Sequence, residues 1–395
     1  MSFRCAECVA YWRQWNVKSP STLNSERATA ISRSDLARVE AEYHGPALPN
    51  AKGKPCRINE RFWAALYARE NHTIYEPDED RIYVYQPERG LFVAQHIENL
   101  REVMIKRFYE VITDRGTVPA YKVIPKFLTM QNMTGVIGAI KGITYKENAF
   151  ERTAGEAFFI HTANCMLVYN QCQFHKEEFS PTWRSRNQSP IPYDANATDE
   201  EFRRCFFDPS FPQSDIALIQ KYGGQCLLGR NLSQSILLLD GAPQSSKTTL
   251  ALVISEVVGR DNCTQRRTDH LDSRFETSSF IGRSILLAPD VKANFLSLYR
   301  ASILKSLVGT DRMVAEFKGS NRRKSFDGIF NVIITSNSRL RAKLEGDTRH
   351  GAEGFTSYVS EAQGLASESV IFTWPLSVIM DRASLISSSE EQTCS

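Results

Sequence analysis

No run in the chain approaches the roughly 18 consecutive apolar residues that a membrane span requires. Met1–Val17 also lacks the apolar core of a secretory signal, so a membrane partner is not expected. Charge of one sign is missing as well. The 48 Lys and Arg stand against 45 Asp and Glu, a formal net charge of +3. Contact with a nucleic acid must then come from a local patch, because the chain as a whole exerts little pull on a polyanion. Paired cysteines are scarce too. Of nine, only Cys5 and Cys8 have C-x-x-C spacing, and no second Cys or His pair follows at zinc-finger distance. This argues against a zinc module and for free thiols in a reducing cytoplasm.

What is present is organised around Ser235–Leu250, SILLLDGAPQSSKTTL. Ser235–Asp240 reads as a buried strand of a parallel sheet. Gly241, Ala242, Pro243, Gln244, Ser245, Ser246, Lys247 and Thr248 then follow the phosphate-loop pattern G-x-x-x-x-G-K-[ST] with one departure. Ser246 stands where the second glycine belongs. From Thr249 the pattern turns helical, with Leu250, Val253, Ile254 and Val257 on one face. In that order, backbone N–H groups and a helix N-terminus face an anion. Lys247 adds charge at the outer phosphates, and Thr248 offers a hydroxyl to Mg²⁺.

Upstream, residues 1–55 read as a poorly ordered leader with one helix at 34–43, followed by the linker-like HGPALPNAKGKP. Residues 56–205 alternate amphipathic helices with short strands, an α+β domain. Within them TIYEPDEDRIYVYQPERGLFVAQ reads as two strands joined by an acidic turn. Gly223–Gly224 and Gly229 are expected to break the helix just ahead of the phosphate-loop strand. Downstream, Gly282–Asp290 is a second buried strand ending in an acid, 43 residues after Lys247. A carboxylate at that end of a neighbouring parallel strand suits a nucleotide-bound Mg²⁺. A third buried strand ends in Asn337, a side chain able to orient a water near a γ-phosphate.

Between Lys318 and Lys343 seven basic residues face one acid, Asp327. Lys318, Arg322, Arg323 and Lys324 cluster about a hairpin tip. Their bland reading is a solvated turn; their functional reading is a grip on a phosphodiester backbone.

These stretches together resemble the superfamily-3 helicases, specifically the phage/plasmid primase–helicase type, which is similar to the poxvirus primase–helicase. QKYGGQCLLGRNLSQSILLLDGAPQSSKTTL resembles the Walker A region, SRFETSSFIGRSILLAPDVKANFL the Walker B region, LKSLVGTDRMVAEFKGSN motif B′ and FNVIITSNSRLRAKLEGD motif C. The resemblance runs from about Arg57 to Asp347. It implies an α/β fold, with an AAA+-like P-loop ATPase domain at 206–347 built on a parallel sheet flanked by helices and preceded by the smaller α+β domain. It further implies ATP and Mg²⁺ as cofactors, a hexameric ring of copies of this chain, and translocation on single-stranded DNA. Lys247, Asp290 and Asn337 take the catalytic roles, and Lys318, Asn321, Arg322, Arg323 and Lys324 form the DNA-contacting hairpin. Priming falls to a separate primase working with other replication proteins, since 55 residues leave no room for a polymerase-type domain.

Three departures qualify the picture. Ser246 puts a β-carbon where the family has none. Pro289 and Val291 leave Asp290 without an adjacent acid to act as base. The family pattern then stops at Thr348, where 348–395 forms an atypical tail lacking the expected arginines. A shifted reading of the codons for 349–363 is able to restore a Trp, paired arginines and an apolar strand, so the tail is expected to be read in a shifted frame. Two alternatives stay open at this point: an ATP-binding initiator or loader that does not unwind, and a truncated, catalytically impaired copy.

Overall fold

The computed structural model describes residues 33–115, 122, 124–151, 158–170, 173–243, 245–265, 276–292, 295, 298–317, 322–338, 356–357 and 367–373. The chain divides into two units, Met1–Asn71 with Leu100–Ile143, and His72–Asn99 with Thr144–Ser395. The boundary drawn from sequence at 205/206 falls inside the second.

The first unit is helical. Helix α1 (Arg33–Tyr43) leads into a hairpin of β1 (Ala47–Pro49) and β2 (Pro55–Ile58), then α2 (Glu60–Asn71). The hairpin occupies part of the stretch that sequence reads as a linker. It is held there by side chains from the following turn and helix. Asn59 Nδ2 donates to the Gly45 carbonyl at 2.8 Å, and Trp63 Nε1 donates to that of Pro46 at 3.1 Å. Helix α3 (Ile97–Arg115) buries Leu100, Met104, Phe108 and Val111, a stripe at helical spacing, and α4 (Met130–Ile143) buries Met133, Val136, Ile137 and Ile140. Phe108 meets the Trp63 ring with centroids 3.9 Å apart. Both residues are fully buried, which at ~25 cal/mol per Å² is worth a few kcal/mol each.

In the second unit the first described elements are β-rich. Strands β3 (Thr73–Glu76), β4 (Arg81–Gln86) and β5 (Leu91–Gln95) make an antiparallel meander, three strands where the sequence suggests two. The acidic turn 77–80 joins the first pair, and a second turn at 87–90 separates the next. Strands β6 (Phe158–His161), β7 (Met166–Asn170) and β8 (Gln173–Glu177) form another such sheet.

Four parallel strands then make the centre of the unit. Helix α5 (Gln213–Leu228) precedes β9 (Ile236–Gly241), and α6 (Lys247–Val258) follows it. Next come β10 (Cys263–Gln265), β11 (Ile285–Val291), α7 (Leu298–Val308), the antiparallel pair β12 (Arg312–Glu316) and β13 (Arg323–Asp327), and β14 (Asn331–Ser336). The spatial order is β10-β11-β14-β9, all parallel. From the tail, β15 (Thr356–Ser357) and β16 (Ser367–Thr373) add antiparallel strands beyond β9.

Alternation along β9 explains why helices cover both faces. Leu237 and Leu239 pack with Ile216, Ile219 and Cys226 of α5 and Leu250, Ile254 and Val258 of α6. Leu238 points the other way, into Leu286, Val332, Ile334 and, on α7, Leu304 and Leu307. The buried stripe of α6 therefore runs Leu250, Ile254, Val258, with Val253 and Val257 only half-buried at its margin. Helix α5 is not broken at Gly223–Gly224. It continues to Leu228 and ends at Gly229, whose φ of 69° caps it in the left-handed region. A second glycine is needed at the base of the β12–β13 hairpin. A Cβ on Gly328 would lie 1.7 Å from the Ser306 carbonyl oxygen, so only glycine lets the hairpin approach α7 this closely.

Candidate nucleotide site and the basic hairpin

Because the four strands are parallel, their carboxyl ends share one edge, and three of the residues singled out from sequence meet there. Gly241 closes β9 with a φ of 148°, which favours glycine. The loop that follows turns into α6 at Ser246. Lys247 is buried, and its ammonium points back into the loop. It donates to the carbonyls of Gly241 (3.0 Å) and Ala242 (2.7 Å) and to Ser245 Oγ (2.8 Å). Burial pushes the Lys247 pKa below its ordinary value, against the opposing pull of the Asp290 and Asp240 carboxylates. Asp240 is a buried acid beside the lysine that the sequence pattern presents only as a strand residue. Ala242, Pro243, Thr248 and Thr249 are exposed on the loop and the first turn of the helix; Gln244 lies outside the described residues.

Ser246 answers the question raised by the missing glycine. Its φ is 64°, the left-handed conformation that a β-carbon disfavours by about 1–2 kcal/mol. Ser210 Oγ donates to Ser246 Oγ at 3.3 Å, which ties the strained turn to the helical segment before α5. Replacing Ser246 with glycine is expected to raise stability by about 0.5–1 kcal/mol, the relieved strain less the entropy glycine adds to the unfolded chain. Thermal unfolding checks this; a lower midpoint for Ser246→Gly would show that the serine hydrogen bond outweighs the strain.

Asp290 and Asn337 come from neighbouring strands. Asn337 Nδ2 donates to Asp290 Oδ1 at 3.4 Å, and both side chains are exposed. Strand β14 lies between β9 and β11, so Asn337 emerges between the lysine loop and the acid. Among the described residues no cluster of three or more His, Cys, Asp or Glu is placed to hold a metal ion. Cys5 and Cys8 lie outside the described residues, while Cys56, Cys165, Cys205, Cys226 and Cys263 are free thiols. No helix among the described residues is long and apolar enough to cross a membrane.

The basic hairpin looks different from its sequence. Lys324 is not a solvent-facing residue. It is 3% exposed, and its Nζ lies 2.9 Å from Glu79 Oε1 and 3.6 Å from Glu76 Oε1. Arg186 joins the Glu79 carboxylate at 2.8 Å and sits 5.0 Å over the Phe150 ring, and the Tyr83 hydroxyl donates to Glu79 Oε2. The Ala149 N–H donates to Glu76 Oε2 at 2.9 Å. Arg322 pairs with Asp80 at 2.8 Å and Arg323 with Glu316 at 3.1 Å, both arginines remaining largely exposed. Lys318 and Asn321 lie outside the described residues, as do Arg339, Arg341 and Lys343. The acidic turn EPDED, read from sequence as a mere strand connector, is the partner of this hairpin.

Burial alone would raise the Glu79 pKa, but the Arg186 and Lys324 charges and the tyrosine hydroxyl hold it down to about 2. His161 is pushed down to about 4 by burial, against the Arg89 carbonyl bonded to its Nε2. Both folded-state values lie below the ordinary ones of 4.5 and 6.5. Each group therefore contributes stability at neutral pH that is lost as pH falls. Acid unfolding is expected to weaken the second unit in two stages, His161 between about pH 6.5 and 4 and Glu79 between about 4.5 and 2. Unfolding midpoints across pH check this: Glu79→Gln should flatten the lower stage and leave the upper one.

A cavity of about 430 Å³ lies at the opposite edge of the parallel sheet, among Gly229, Asn262, Ser284 and Phe330 just ahead of the strands and His161 and Arg186 of the β-rich segments. Its polar walls bond to one another: His161 Nδ1 to Ser185 Oγ at 2.8 Å, Asn262 Nδ2 to the Val258 carbonyl at 2.7 Å. The chemistry read from sequence lies at the other edge.

Residues 239–350 match a family described as "Family of unknown function (DUF5906)", a stretch that opens in β9 and passes through the lysine loop, β11 and β14. Among solved structures, the chain is similar to the A form apo structure of the NrS-1 C terminal region, at 13% identity and a TM-score of 0.38 over 70% of this chain and 56% of that one. A further apo structure of the same region gives 13% identity and a TM-score of 0.39 over 71% and 58%. The chain thus spans somewhat over half the length of those it matches. No curated protein matches it.

Proposed function

We propose that the second unit is an AAA+-like P-loop ATPase and the chain an ATP-dependent DNA helicase of the superfamily-3, phage/plasmid primase–helicase type. The observation that carries this reading is the meeting of the Lys247 loop, Asp290 and Asn337 at the carboxyl edge of one parallel sheet, where nucleotides bind in open α/β folds. The donor set suits Mg²⁺. One carboxylate (Asp290) and one hydroxyl (Thr248) are hard oxygen ligands, few enough that the ion keeps waters and takes phosphate oxygens from ATP. When bound, the ion neutralises charge developing on the transferred phosphoryl group.

The chain's own residues supply the rest. The loop N–H groups and the α6 N-terminus cradle phosphate oxygens, and Lys247 exchanges its loop acceptors for a charged and therefore stronger one. Asn337 orients the attacking water, with its amide already directed at Asp290. Arg322 and Arg323, with Lys318 and Asn321 of the same hairpin, grip single-stranded DNA, while Lys324 anchors the hairpin from beneath. Copies of the chain assemble as a ring, with a separate primase and other replication proteins as partners.

A second reading, an initiator or loader that binds ATP without unwinding, is favoured by one feature. Pro289 and Val291 leave no acid beside Asp290 to serve as base. Strand displacement on a forked duplex separates the two. ATP-dependent release of the strand supports the helicase; ATP-dependent assembly on DNA without release supports the loader.

A further inference from the structure

We infer that Thr335 is the positioning residue that holds Asp290 in its working conformation, an inference that rests on the ATPase reading above. Strands β11 and β14 keep a regular parallel register from Ile285↔Asn331 to Ala288↔Ile334, but the next pair is Val291↔Ser336. Strand β11 therefore uses three residues where β14 uses two, a bulge made of Pro289 and Asp290 opposite Thr335. The bulge takes the Asp290 N–H out of the ladder, and Thr335 Oγ1 accepts it at 3.0 Å.

Asp290 has a φ of 49°, a conformation that persists in a non-glycine residue only where its surroundings over-determine it. Three consecutive residues of β14 and its exit do so. Thr335 holds the Asp290 N–H, and Ser336 Oγ donates to the Val291 carbonyl at 2.9 Å. Asn337 Nδ2 reaches the Asp290 carboxylate itself. Thr335 is 1% exposed, so no water competes for its hydroxyl. Its hydroxyl is spent on the backbone of Asp290 rather than on the site itself. Its effect passes through the carboxylate that would bind Mg²⁺, as the groups behind a metal ligand commonly act.

Thr335→Val is nearly isosteric and removes the hydroxyl that accepts the Asp290 N–H, and Thr335→Ser keeps that hydroxyl. Two measurements on the full chain decide the matter. The first is hydrogen exchange at the Asp290 amide without nucleotide, which should speed up at least ~tenfold in Thr335→Val and return towards the parent rate in Thr335→Ser. The second is the Mg²⁺ dependence of ATP hydrolysis. Thr335→Val should need ~10–100-fold more Mg²⁺ for half-maximal turnover, with ATP affinity in the absence of metal within twofold of the parent. Unchanged amide exchange in Thr335→Val, or a parent-like Mg²⁺ dependence in an active chain, would overturn the inference. A serine variant as impaired as the valine one would do the same, because loss of the methyl rather than of the hydroxyl would then be the cause. A parent chain that does not hydrolyse ATP overturns instead the ATPase reading, and with it the role at the metal.

Discussion

Replacing Lys324 with alanine is expected to lower the stability of the second unit by about 3–5 kcal/mol, a large share of the about 5–15 kcal/mol by which folded proteins are stable. The ammonium is almost wholly buried between Glu76 and Glu79, so its removal leaves two carboxylates out of water, with Arg186 still paired to Glu79. Replacing Arg323, which is exposed and paired with Glu316, should cost well under 1 kcal/mol. Denaturant unfolding of the two variants checks the contrast. If Lys324→Ala unfolds like the parent while its affinity for single-stranded DNA collapses, the lysine meets DNA after all and the buried charge cluster is wrong. The expected DNA phenotype lies elsewhere. Neutralising Arg322 and Arg323 should weaken binding to single strands and flatten its salt slope by about 0.7 for each phosphate that is no longer neutralised.

The second large effect is at the nucleotide. On the proposed reading Lys247→Ala removes the charge that would meet the outer phosphates, and ATP affinity should fall at least ~tenfold, or ~1.4 kcal/mol. Hydrolysis should fall further, by ~10²–10³, because the same charge matters more as negative charge develops in the transition state. The fold should persist, since among the described residues the ammonium's hydrogen bonds go to its own loop. Equal ATP binding by mutant and parent would remove the loop from the nucleotide site.

How much of this is legible in the sequence follows from the range of each interaction. The parallel strands announce themselves as short apolar runs, ILLL, ILLA and VIIT, because a strand buried on both faces has no polar side. The lysine loop is equally local, eight residues between a strand and a helix. The charge cluster is not local. Glu79 and Lys324 are 245 residues apart, and nothing in RRK or in EPDED says that one folds against the other. A basic run near a hairpin tip therefore reads as a DNA grip throughout, when its innermost lysine is part of the core. Position along the hairpin carries a hint: Lys324 falls within β13 and faces inward, whereas Arg322 and Arg323 come at or before its start. The bulge at Asp290 leaves a partial signal in Pro289, which cannot donate to a ladder. Ser246 is visible as a departure from the glycine pattern, but only the backbone reveals that the serine accepts the left-handed conformation rather than avoiding it.

The central claim is that the carboxyl edge of this sheet binds and hydrolyses ATP in the service of DNA movement. DNA-stimulated ATP hydrolysis by the purified full chain, with Lys247→Ala as control, tests it most directly. The account predicts Mg²⁺-dependent turnover that rises when single-stranded DNA is added and falls by ~10²–10³ in the lysine mutant. Turnover in Lys247→Ala at the parent rate, or a parent chain that binds no ATP with Mg²⁺ and DNA present, would contradict it.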